Sequence, residues 1–161
     1  MTKENTNKTP SYIAMESALG AILLLSTKSP AHKFLFAGDF EWLIVPAIAN
    51  KQFILYRNKQ GEPISFISWA RVSEDVENRL KSGILRLSPN EWSSGDKIYI
   101  IDTISPFIDI KNVLKQALGN QFKDKDVNIL RPNKDQTAME SVSLNVFLED
   151  LSQSKVDESL N

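Results

Sequence analysis

The sequence predicts one α+β domain, with a largely antiparallel sheet and helices beside it, on three observations. Apolar residues recur at three- and four-residue spacing near the N-terminus and again around residue 115. Between these stretches lie short β-branched and aromatic runs joined by turns rich in Gly, Pro and Asn. Helical and strand-like segments follow one another in mixed order, with no internal repeat and no linker. The 161 residues, 42% hydrophobic and 24% charged, suit a single globular core.

Residues 1–9 read as a disordered polar start, residues 10–150 as the domain and residues 151–161 as an acidic flexible tail. Thr9-Pro10 is a helix start, with proline at the first helical position. Ile13, Ala14, Ala18, Leu19, Ile22 and Leu23 then mark one face of an amphipathic helix. It must stop before Pro30, because the residue preceding a proline is driven out of the α region. Gly20 in mid-helix costs up to about 1 kcal/mol against alanine, which points to close approach of another backbone or a ligand.

Apolar and aromatic residues alternate loosely through "FEWLIVPAIANKQFILYR". Within and after it, "QFILYR" is a strand, "NKQGEP" a turn and "ISFISWA" the hairpin partner. Ser73 caps a short helix, "SEDVENRLKSG", ended by Gly83. "ILRL" and "KIYIID" are two further strands around the turn-rich "SPNEWSSGD". Asp109 caps "IKNVLKQALG", which Gly119 closes. "VNILR" is a strand halted by Pro132, and "SVSLNVF" alternates like a last strand.

Composition excludes several classes of chemistry. Without cysteine there is no disulfide framework, thiolate nucleophile or Cys-ligated metal, and a single histidine excludes His-pair zinc motifs. No metal is expected. The apolar stretch in "AMESALGAILLLS" carries Glu16 and is far shorter than the roughly 20 residues of a membrane span. It also lacks the basic flank and cleavage site of a secretory signal, so the expected location is the cytoplasm. Net charge is −1, but residues 140–161 carry five carboxylates against Lys155 alone, which leaves residues 1–139 at about +3. That excess is too small for nucleic acid and suits a local basic patch facing an acidic protein.

Two residues stand out as chemistry. His32 is the only side chain whose ordinary pKa lies between about 5 and 8. Asp102 ends the otherwise apolar run "KIYIID", where a carboxylate must be solvated, paired or hydrogen-bonded. Each also has a plainer reading, as a surface histidine and as a turn former or helix cap. Spacing alone does not pair two such distant positions.

Longer words of the sequence go further. Leu19-Gly20, "SPAH" at 29–32, "PAI" at 46–48, "KQFIL" at 51–55, "GEPISFISWA" at 61–70, "EWSSGDK" at 91–97 and "IIDTISPF" at 100–107 occur in that order. Together they resemble the toxin-activating lysine acyltransferases, the haemolysin C-like family, most strongly from Gly20 to Phe107 and more thinly to Arg131. The resemblance implies a variant of the Gcn5-related N-acetyltransferase sheet, usually dimeric. It implies transfer of a fatty acyl group from acyl carrier protein to internal lysines of a repeat-in-toxin (RTX) protoxin in the cytoplasm. His32 matches the family's catalytic histidine and Asp102 its catalytic aspartate. Ser29, Gly20 and Gly95 match further motif positions, and Arg131 matches a family arginine more loosely.

On that basis His32 is the base that deprotonates the acceptor lysine, or alternatively a nucleophile forming an acyl-imidazole, with Asp102 orienting the ring or steering the amine. Ser29, or N–H groups freed at the turn by Pro30, would hold the oxyanion. The first helix and the "FISWA" strand would form a groove for the acyl chain. Lys33, Arg71, Arg79 and Arg131 are candidates for meeting the acidic carrier protein. The helix is aliphatic ("AILLL") where many relatives carry tryptophans, and an acidic tail replaces their basic C-terminal stretch. An RTX adhesin or another secreted repeat protein is thus as compatible an acceptor as a toxin. A coenzyme A-dependent acetyltransferase would need a pyrophosphate-binding glycine loop, and "ALGNQF", the nearest run, fails. A non-catalytic family member that binds a secreted repeat protein is the remaining alternative.

Overall fold

A computed structural model describes the backbone of residues 9–158 and the side chains of residues 14–154. The predicted disorder of residues 1–8 and the last residues of the predicted tail lie outside the described residues. The first helix, α1 (Thr9–Lys28), ends where Pro30 requires. The stretch after it, read only as loosely alternating, folds into two short helices, α2 (Ala37–Leu43) and α3 (Val45–Ala49), with Pro46 in the first turn of α3.

The predicted hairpin is β1 (Phe53–Arg57) and β2 (Pro63–Val72). Its turn is built by Asn58, whose Oδ1 accepts from the N–H groups of Gln60 and Glu62, and by Gly61 at φ +83°. Ser73 Oγ accepts from the Val76 N–H and starts α4 (Glu74–Lys81). A 3₁₀ turn (Pro89–Trp92) precedes β3 (Lys97–Ile104), and α5 (Ile110–Gly119), capped by Asp109, leads to β4 (Val127–Pro132) and β5 (Met139–Ser143). The last helix is α6 (Leu144–Glu158).

Two strand expectations fail. "ILRL" joins no strand: Ile84 and Leu85 are exposed, and only Leu87 turns into the core. "SVSLNVF" is divided, because Leu144 and Leu148 are one helical turn apart and both pack beneath α5. Residues 151–158, read as flexible tail, continue that helix.

The sheet order is β1-β2-β3-β4-β5, antiparallel throughout except for the parallel pair β3–β4, which α5 connects. It is a mixed, mainly antiparallel open sheet with flanking helices, compatible with the N-acetyltransferase-like architecture. On one face Ile67, Trp69 and Ile100 pack against Val113, Leu114 and Leu144 of α5 and α6. On the other, Phe66 and Ile104 pack against Ile22 and Leu25 of α1, while Ala70 and Tyr99 lie under α4. Alternate residues of β2 therefore serve two cores, which is why "FISWA" is buried throughout and, Ser68 apart, apolar.

Candidate active site

The end of α1 builds one half of the site. With Pro30 unable to continue the helix, the chain makes a tight turn in which the Ser29 carbonyl accepts from the N–H groups of His32 (3.1 Å) and Lys33 (2.9 Å). This turn folds the imidazole back over the helix end. Ser29 Oγ lies 2.7 Å from His32 Nδ1.

The other half comes from β3. Asp102 Oδ1 lies 2.9 Å from His32 Nε2 and accepts the Thr103 N–H at 2.8 Å. The two side chains are only 14% and 13% exposed, so the pair is largely shielded from water. A carboxylate only accepts, so Nε2 carries a proton, and in the neutral ring Nδ1 accepts the Ser29 O–H. Ser29, His32 and Asp102 thus form one hydrogen-bonded line.

Simple alternation in β3 would not place Asp102 there. Ile98 and Ile100 face α5 and α6, and a two-residue period would send Asp102 to the same side. Ser68 pairs with Asp102, but Trp69 pairs with Ile100, so β3 carries one extra residue, Ile101. This bulge reverses the phase and turns Asp102 and Ile104 toward α1.

Beside Asp102, β3 and β4 stop pairing after Ile100 and Ile129 and leave a cleft of about 290 Å³. Its walls include Ile101, Thr103, Ile129, Leu130 and Met139. The "FISWA" strand, expected to line a groove, is buried core instead. Asp102 and Thr103 apart, the residues that do line the cleft carry no signal in the sequence beyond being apolar.

The remaining predicted residues are dispersed. Gly20 lies on the exposed face of α1, and a Cβ there would have nothing within 4 Å, so no backbone of this chain explains it. Gly95 has a tight fit: a Cβ would collide with the Val72 carbonyl oxygen and stand 2.6 Å from Ser73 Cα. It serves the packing of β2 against the start of β3, at the opposite end of that strand from Asp102. Arg71 is exposed and pairs with Ile98, three β2 residues beyond Ser68. Arg131 bonds Glu140 at 2.8 Å and Asp150 at 2.5 Å, and Arg79 bonds Glu91 at 2.6 Å, so both are engaged within the chain. Lys33 is exposed beside His32, its ammonium 4.9 Å from the centre of the Phe34 ring. Ser29, expected to serve an oxyanion, is buried with its hydroxyl on the imidazole.

Among the described residues no group of acidic or histidine side chains has the arrangement of a metal site, and no helix is long and apolar enough to cross a membrane. Residues 12–145 match the family model described as the RTX toxin acyltransferase family, HlyC. The chain belongs to that family. Among its relatives, the "Lysine-acyltransferase RtxC" of Vibrio cholerae serotype O1 is 37% identical over 107 residues, 66% of this chain and 69% of the relative. The "Protein-lysine myristoyltransferase RtxC" of Kingella kingae is 36% identical over 108 residues, 67% of this chain and 64% of the relative. The "Leukotoxin-activating lysine-acyltransferase LktC serotype A1" of Mannheimia haemolytica is 37% identical over 113 residues, 70% and 66% of the two chains. The matched segments span about two thirds of these relatives' lengths.

Proposed function

We propose that this protein moves a fatty acyl group from acyl carrier protein to internal lysines of a secreted RTX protein, with His32 as base and Asp102 as its partner. The observation that supports this reading is the hydrogen-bonded line Ser29–His32–Asp102 at the edge of an apolar cleft. The relatives' names supply the acceptor side chain, lysine, and for one of them a myristoyl group.

The acceptor amine sets the chemical problem. With an ordinary pKa near 10.4, a lysine at pH 7 is protonated, and removing that proton costs about 5 kcal/mol. His32 offers one lone pair, on Nδ1, and the Ser29 hydroxyl covers it. The proton therefore leaves the amine for Ser29 Oγ as the Ser29 proton moves to Nδ1, and Asp102 stabilises the imidazolium that results. The freed amine attacks the thioester carbonyl, the amide C–N bond forms, the C–S bond breaks and the carrier's thiol leaves. An acyl-imidazole would require Nδ1 itself to attack, and Ser29 stands in its path, which favours direct transfer. The acyl chain lies in the cleft beside Asp102. Lys33, exposed and next to His32, meets the acidic carrier. Arg71 does not, because it pairs with Ile98 on the face of the sheet turned to α5 and α6, and neither do Arg131 and Arg79, being paired already.

We extend the reading to a cytoplasmic working site and, by resemblance, a homodimer. The test is incubation with acyl carrier proteins of graded chain length and the candidate repeat protein, read by intact mass. A single acyl addition on an acceptor lysine is expected from the wild type and none from His32→Ala. Equal addition by His32→Ala would remove the histidine from the mechanism.

A further inference from the structure

Asp102 is held on one side only. Its Oδ1 accepts from His32 and from the Thr103 N–H, whereas Oδ2 is buried with no hydrogen-bond partner. A carboxylate oxygen shielded from water without a donor is an unusual feature of a native site. A second such atom lies across the strand pair. Ser68 is wholly buried, its Oγ has no partner, and it is the β2 residue in register with Asp102.

The bulge at Ile101 makes this pairing meaningful. Because the phase of β3 reverses there, Ser68 and Asp102 lie on the same face of the sheet, with Phe66 and Ile104 as the next matched pair. Directly opposed side chains on one face have Cβ atoms about 4.5–5.5 Å apart, close enough for a rotated serine hydroxyl to meet a carboxylate oxygen. One atom is a donor without an acceptor and the other an acceptor without a donor.

We propose that Ser68 is a positioning residue for the acyl transfer: its hydroxyl turns onto Asp102 Oδ2 and holds the carboxylate so that Oδ1 stays on His32 Nε2. Ser68 touches no substrate and acts through Asp102. The proposal rests on the assignment of Asp102 as partner of the base, and its test separates the two.

The experiment compares Ser68→Ala with the pair Ser68→Thr and Ser68→Val, which differ at nearly equal volume by one hydroxyl. Loss of a hydrogen bond to a charged group predicts a fall in kcat of about tenfold or more in Ser68→Ala and Ser68→Val, with KM unchanged. Ser68→Thr should restore kcat to within a few-fold of wild type. His32 is the only histidine, so its hydrogen-bonded ring N–H gives one assignable downfield proton resonance, read without any substrate. That resonance should broaden or move upfield in Ser68→Ala and Ser68→Val and persist in Ser68→Thr. In an Asp102→Asn background, Ser68→Ala should add nothing. Wild-type kcat and an unmoved resonance in Ser68→Ala would overturn the proposal, as would equal behaviour of Thr and Val. If Ser68→Ala does not fold, the Thr–Val comparison decides. If Asp102→Asn itself leaves transfer unchanged, the catalytic assignment fails and takes the role of Ser68 in transfer with it, whereas an unmoved resonance in Ser68→Ala beside an impaired Asp102→Asn overturns the Ser68 proposal alone.

Discussion

His32 and Asp102, 70 positions apart in the chain, are joined by a 2.9 Å hydrogen bond between Nε2 and Oδ1. The bond unites a helix end with a sheet strand, and its polarity sets the imidazole tautomer. Nε2–H is fixed toward the carboxylate, so the basic lone pair points to Ser29.

Asp102→Asn therefore has a specific consequence. An amide can present its NH2 to Nε2, which forces the proton to Nδ1 and removes the lone pair from Ser29. Acyl transfer should fall by roughly three to four orders of magnitude, as tautomer reversal does in hydrolytic triads, with the thermal midpoint little changed. Single-turnover rates on the acceptor protein check this; a fall below about threefold would make the aspartate structural.

The cleft between β3 and β4 should set the acyl chains accepted. Ile129→Trp fills part of its 290 Å³ from the β4 side, opposite Asp102. The ratio of rates with long and short acyl donors should fall by about tenfold or more, since each excluded methylene forfeits about 0.8 kcal/mol of burial. An unchanged ratio would place the chain elsewhere.

Gly95→Ala tests a position that the resemblance makes a motif glycine and the structure ties to packing. Its Cβ would meet the backbone of Val72 and Ser73, which cannot yield as a side chain can. Urea denaturation should show a loss of about 1–3 kcal/mol, with the transfer rate per folded molecule unchanged. Lost transfer at full stability would return Gly95 to the site.

At the far end of β3 the Glu77 carboxylate is buried and bonded by Lys97 and by Tyr99 Oη at 2.5 Å, while Tyr99 also meets Ser141 Oγ at 2.6 Å. Burial alone would raise the Glu77 pKa, but the bonds from Lys97 and Tyr99 and the charge of Lys81 outweigh it and hold it below the ordinary 4.5. A carboxyl so depressed stabilises fully above its unfolded-state pKa, and the contribution is lost as pH falls through the folded-state value. Tyr99 is pushed up to about 12, by burial first and then by Glu77, so its contribution is lost as pH rises from the ordinary 10.0 toward that value. Thermal midpoints across pH should fall less steeply on the acid side in Glu77→Gln and less steeply on the alkaline side in Tyr99→Phe. Curves parallel to wild type would show that the network carries no such linkage.

Much of this was legible in the chain because local chemistry dictated it. Pro30 ends α1, Asn58 and Gly61 make the hairpin turn, and Ser73 and Asp109 start helices whatever surrounds them. The motif words around His32 and Asp102 singled out two residues that the fold does bring together. What stayed hidden depends on partners distant in sequence. "ILRL" has strand composition but no strand beside it, and Leu144 joins α6 because α5 lies over it. Arg131 reads as a free cation until Glu140 and Asp150 close on it. The bulge at Ile101 is the deepest omission, since period-two reasoning assigns Asp102 to the wrong face.

That extra residue makes the pairing of His32 with Asp102 a matter of counting as much as of chemistry. Removing Ile101 while keeping every functional side chain should disable the protein as thoroughly as replacing Asp102, and reinserting any small apolar residue at that point should repair it. Scans that exchange one amino acid for another would pass over this vulnerability, because it belongs to the length of the strand rather than to the identity of any member.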